Sequence, residues 1–244
     1  MNDVDYGVIG FQFGLCNFAD YFAGIQLGGL FNFIKNNSMG VQGAFLFNWN
    51  KSYDKLFITG IQFSGIFNFM YSYKSTSFSG VQIAGLWNFH AKGSFTGMQA
   101  GGIFNYVNED FTGLQLALAG NGAAGVMGLQ ASFGFNYAEN FRGIQFSILA
   151  NGCKGDFNGL QFAMMNTNFK NTFGVQFGLI YNKTGETVYG AQIGLVNYAD
   201  RIAGVQIGLI NITRQMRGIQ IGLCNFISEG TIPFLPLFNG SFSF

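Results

Sequence analysis

The chain has 244 residues, of which 9% are charged and 18% aromatic, with 31 Phe, 37 Gly and 2 Pro. An ordinary soluble domain carries roughly 25% charged residues, so this sequence is unusually poor in charge, while Gly is at about twice its usual share. Twelve Lys and Arg against eleven Asp and Glu leave a net charge of +1, which excludes the basic footprint of a nucleic-acid binder and a polybasic patch for anionic lipid heads.

From the N-terminus, Met1-Asn2-Asp3-Val4-Asp5 shows no basic region followed by an apolar stretch, so no signal peptide is expected there. No uninterrupted apolar run reaches the ~18 residues that a membrane-spanning helix needs. A repeat then begins at Gly10 and dominates the chain. Its marker is a Gln two residues after a Gly: Gln12, Gln26, Gln42, Gln62, Gln82, Gln99, Gln115, Gln130, Gln145, Gln161, Gln176, Gln192, Gln206 and Gln220. The spacing runs from 14 to 20 residues, and an Asn follows each Gln by five or six, from Asn17 and Asn32 to Asn211 and Asn225. The fourteen Gly-to-Asn windows cover 121 residues and contain none of the 23 charged side chains. The windows therefore belong to an environment that excludes charge, and connectors such as Lys51-Ser52-Tyr53-Asp54-Lys55 belong to water.

Within the windows the period is two, which predicts strands. Residues 59–69 place Ile61, Phe63, Phe67 and Phe69 opposite Gly60, Gln62, Ser64 and Asn68. Residues 79–89 place Val81, Ile83, Trp87 and Phe89 opposite Gln82, Ala84, Leu86 and Asn88, and residues 127–137 follow suit. One face is apolar and ends in aromatics, while the other is small and weakly polar.

Such strands suit an all-β, antiparallel transmembrane β-barrel of about 14–16 short repeated strands, because a spanning strand needs about 9–11 residues with lipid-facing and lumen-facing side chains alternating. This is the leading expectation, with the Gln residues lining a lumen that passes small neutral solutes. The alternative is a two-sheet β-solenoid of about 14 coils that serves a structural or adhesive role and self-associates. In 204–217 it would turn Val205, Ile207 and Leu209 inward, stack Asn211 and return Met216 to the core, leaving Ile210 and Leu86 outside in register. A soluble fibre burying that outer patch between chains needs the same strands. In every version the Gln residues have a structural role open to them, a ladder or ring of mutually satisfied amides. Phe78, Phe95 and Phe111 share the Gln face and could fill a lumen.

The chain ends Phe234-Leu235-Pro236-Leu237-Phe238-Asn239-Gly240-Ser241-Phe242-Ser243-Phe244. Those alternating Phe residues resemble the carboxy-terminal strand signal of bacterial outer-membrane barrel proteins, from which Pro233 and Pro236 depart. The repeat itself, Gly-Val-Gln-Ile-Gly-Leu-Ile-Asn at 204–211, resembles the surface-repeat proteins of spirochaetes and Bacteroidota-type bacteria over nearly the whole chain. The resemblance implies a bacterial outer-membrane or cell-surface location and little chemistry. One repeat domain is expected over 1–244, with repeats from about 10 to 225 and a closing strand or cap over 226–244.

No catalytic constellation emerges, and the chain is not expected to be an enzyme. His90 is the sole histidine and sits at a strand end; Asp3 with Asp5, and Glu109 with Asp110, are solvated pairs without a desolvated cleft. Gly28-Gly29 and Gly101-Gly102 are followed by no Lys-Ser/Thr, so they read as close backbone approach or bulges that absorb the five-versus-six step. The sequons at Asn182 and Asn211 are repeat positions. Cys16, Cys153 and Cys224 have no metal-ligand spacing and read as small apolar fillers. No cofactor, metal or specific small-molecule ligand is expected; membrane lipid is the expected partner, with self-association under the solenoid reading.

Overall fold

A computed structural model describes residues 7–241; Asp3, Asp5 and the terminal Phe242 and Phe244 lie outside the described residues. The described chain is all β, without a helix. It divides into two compact units, Met1–Ala124 and Gly125–Phe244. The first carries β1 (Gly7–Ala19), β2 (Tyr21–Ile34), β3 (Ser38–Ala44), β4 (Phe47–Ser52), β5 (Leu56–Ser64), β6 (Phe67–Ser72), β7 (Thr76–Ala84), β8 (Trp87–His90), β9 (Gly93–Gly101) and β10 (Phe104–Ala117). After β11 (Gly120–Ser132), which contains the boundary, the second carries β12 (Phe135–Ser147), β13 (Ala150–Cys153), β14 (Phe157–Asn168), β15 (Thr172–Ile207), β16 (Ile210–Ile227) and β17 (Phe234–Ser241).

The antiparallel barrel is overturned: the chain is a parallel β-solenoid of about 13 turns. In the first unit β5 lies parallel to β7 with Gly60 beside Gly80 and Gln62 beside Gln82, while β4 pairs β6 with Asn48 beside Asn68. In the second, β14 pairs β15 with Gln161 beside Gln176 and Asn166 beside Asn182. Each window read as one straight strand is in fact bent. Residues 59–69 break between Ser64 and Phe67, 79–89 between Ala84 and Trp87, and 127–137 between Ser132 and Phe135. One window thus supplies both strands of a coil, and each connector leads from an Asn strand to the next Gln strand. Connectors all lie on one edge, so they have no reason to alternate in length.

The glycine of each Gly-apolar-Gln triplet makes this stacking possible. All fourteen have φ between +107° and +151°, a region nearly closed to side chains. A Cβ on Gly60 would overlap the carbonyl oxygen of Gly40 in the coil below. The five-versus-six step is taken up as expected: coil register slips between Gly14 and Cys16 opposite Gly28 and Phe31, and between Ala163 and Met165 opposite Gly178 and Tyr181.

The solenoid expectation for 204–217 needs one correction. Ile207 and Leu209 are 40% and 48% exposed, whereas Gln206, Asn211 and Met216 are buried. The weakly polar face is the interior. Parallel stacking sets each amide about 4.8 Å from an identical one, so donor and acceptor satisfy each other along a column.

Two further interior columns complete each core. One lies four residues before Gln, with Phe78, Phe95 and Phe111 stacked at 4.6 and 5.4 Å. The other lies two residues after Asn and includes Ile34, Met70 and Val107. In one stretch of the second unit both columns turn polar together: Asn168 donates to Thr172 Oγ1 at 2.7 Å and Thr172 meets Thr184 at 2.8 Å. At the far end β17 pairs antiparallel with β16, with Gln220 opposite Asn239.

Candidate functional site

Thirteen of the fourteen Gln residues are buried to 2% exposure or less, and only Gln12, on the first coil, is partly open. In the first unit Gln26 Nε2 donates to Gln12 Oε1 at 2.7 Å, and Gln82 and Gln99 repeat the bond to Gln62 and Gln82 at 2.7 and 2.9 Å. In the second, the column runs from Gln145 onto Gln130 at 2.9 Å to Gln220 onto Gln206 at 2.7 Å. The Gln side chains thus pair with one another along the coils and do not line an open lumen. Packed amides and the buried Phe78, Phe95 and Phe111 occupy the space a pore would need.

The Asn column runs with the opposite polarity. Asn17 Nδ2 donates forward to Asn32 Oδ1 at 2.9 Å, and its second hydrogen goes to the Leu27 carbonyl at 2.8 Å. Asn68 does the same with Asn88 and Ile83, both at 2.8 Å. Each Asn therefore ties down the bend of the next coil, and the opposed amide dipoles of the two columns offset one another. Asn182 and Asn211 belong to this buried column, which leaves their sequons inaccessible.

Buried groups outside the ladders offer no reactive arrangement. His90 lies against Thr76 Oγ1 with Nδ1 unpartnered. Burial pushes its pKa down to about 4 from 6.5. Folding therefore keeps the ring neutral: stability is full above about pH 6.5, falls as the unfolded chain takes up the proton, and is reduced by about 3 kcal/mol near pH 4. Denaturant titrations at pH 7.5 and pH 4 should show this loss in the wild type and a much smaller one in His90→Met, which places the Met70 side chain of the same column there. Burial pushes the Cys153 thiol up to about 12, which keeps it protonated. Cys16 is exposed instead of packed as expected, and all three cysteines are free. Glu109 and Asp110 lie on exposed backbone of β10. Among the described residues no three metal-ligating side chains converge.

The informative surface is the exterior, the patch that a fibre would bury between chains. In the first unit the outside of the Asn strand carries aromatic columns, with Phe31, Phe47 and Phe67 stacked at 5.0 and 4.9 Å and Trp49, Phe69 and Phe89 beside them. Ile9, Phe13 and Leu15 are exposed on the first coil. In the second unit the outside of the Gln-to-Asn bend is hollowed into a groove of about 940 Å³. One wall runs from Phe146, Phe162 and Phe177 to Ile193, Ile207 and Ile221; the other runs from Ile148 to Leu223, and Leu237 of β17 stands at one end. Ile210 and Leu86 are exposed, as the solenoid reading required.

Among the described residues charge lies outside the Gly-to-Asn windows, and at the connector edge it forms its own ladder. Arg214 bonds Asp200 at 2.7 and 3.0 Å and Glu229 at 2.9 Å, three residues of successive coils. The Arg214 guanidinium holds the Asp200 and Glu229 carboxyls below their usual range. These exposed pairs add little stability and much solubility to that edge. No family model, no curated protein and no solved structure matches this chain.

Proposed function

We propose that the chain is a structural β-solenoid at a bacterial cell surface that works by associating with copies of itself. One observation carries the reading: its exterior displays columns of exposed apolar side chains in register, from Phe13 and Trp87 to Leu209 and Leu223, while the amides are kept inside. A soluble monomer normally shows apolar patches of only a few hundred Å². Burial of such columns against identical columns stabilises by about 25 cal/mol per Å² of apolar area. The surface location rests on the resemblance of the repeat to bacterial surface-repeat proteins.

A second reading is favoured by the confinement of charge to the connector edge: the solenoid lies in a lipid layer with that edge toward water. One measurement separates the two. Sedimentation without detergent should give a defined assembly, and neutral phosphatidylcholine vesicles should not carry the protein upward in a flotation gradient. Monomers in buffer that float with vesicles would replace self-association by lipid anchoring.

A further inference from the structure

The self-association reading leaves open which face meets the next copy. We infer that the groove edge of the second unit is that interface, and that a second copy docks its own groove edge there in antiparallel orientation. The inference rests on the reading above but can fail without it.

Several features favour this edge. Its backbone makes its hydrogen bonds between coils at the bend itself: Leu209 N donates to Leu195 O at 2.9 Å, Cys224 N to Leu209 O at 2.9 Å, and Met164 N to Ile148 O at 2.9 Å. Covering the edge therefore strips water from few unpaired polar groups. No charged residue lines the groove, and its only polar side chain is Ser147. About ten wall and rim side chains, from Phe146 to Leu237, are 40–68% exposed. At on the order of 100 Å² each they offer close to 1,000 Å², against the roughly 800 Å² per partner of a stable interface.

The repeat supplies the fit. The ridge Leu179, Leu195, Leu209 and Leu223 stands beside the groove and recurs once per coil. A second copy has the same spacing of about 4.8 Å, so its ridge finds a seat at every coil. A small molecule would cover only part of a trough open along its length and flanked by the exposed Leu149 and Ile180. Side-chain size sets the direction. The first wall is Phe over three coils and Ile over the next three. Antiparallel docking sets the bulky half against the smaller half and keeps the layer evenly filled, whereas parallel docking sets Phe on Phe and leaves a gap beside Ile.

The test is the assembled mass of the full chain by light scattering after size exclusion. Leu195→Glu/Leu209→Glu should halve the mass with strand content unchanged by circular dichroism, since both side chains are already half exposed. Trp87→Glu, on the aromatic face of the first unit, should leave the mass as it is. A wild type that is monomeric without detergent sinks self-association and this interface together. An associated wild type whose mass the Leu195/Leu209 variant does not change overturns the interface alone. For direction, in a Cys16→Ser/Cys224→Ser background, Met164→Cys/Leu209→Cys should oxidise to a covalent dimer and either single cysteine should not. Dimers from the single variants would overturn the antiparallel arrangement.

Discussion

Gly60→Ala is expected to lower the unfolding free energy by roughly 3–5 kcal/mol, enough to unfold a marginal domain. Two effects add at this site. A Cβ forces an L-residue to hold φ of +135°, and it meets the carbonyl oxygen of Gly40, which is backbone and cannot step aside. The first coil separates the two. Gly10 has φ of +107° but nothing within 4 Å of a Cβ, so Gly10→Ala should retain only the strain of about 1–3 kcal/mol. Denaturant midpoints of the two variants against the wild type check this. Equal losses would mean that contact with the coil below contributes nothing.

Gln82→Leu is expected to destabilise by roughly 2–5 kcal/mol, because it orphans two buried groups at about 1–3 kcal/mol each. Gln62 Oε1 loses its donor at 2.7 Å, and Gln99 Nε2 loses its acceptor at 2.9 Å. The double variant Gln82→Leu/Gln99→Leu is more informative. It still interrupts the ladder at two ends, now Gln62 Oε1 and Gln115 Nε2, whose bond to Gln99 at 2.9 Å is lost. The double variant should therefore lose about as much as the single one, far from additivity. A loss twice as large would show that each Gln acts separately and that the column is not a chain of shared bonds.

Part of this was open to reading in the residues. The Gly-to-Gln step, the Asn that follows it and the absence of charge from all fourteen windows mark a strand repeat with water at the connectors. Phe78, Phe95 and Phe111 are placed on the Gln face by parity alone, and they are indeed interior. The barrel followed from the same facts, since an apolar face, a weakly polar face and an aromatic end describe a spanning strand equally well. The bend at residues 65–66 has no proline and no charge to announce it. Its sign was the pair Ser64-Gly65, which an eleven-residue strand would also tolerate. The groove from Phe146 to Leu237 was hidden for another reason: its walls come from coils distant in sequence.

The sequence by itself determined the period, the strand character, the confinement of charge to connectors and the two-faced nature of each window, because these depend on which neighbours a residue has along the chain. Only the tertiary structure decided which face is inside. An isolated Gln is costly to bury, and by composition the Val, Ile and Phe face has the stronger claim on the core. Parallel, in-register stacking reverses that preference: each buried Gln and Asn finds an identical amide one coil away, completes its hydrogen bonds there, and leaves the apolar face outside.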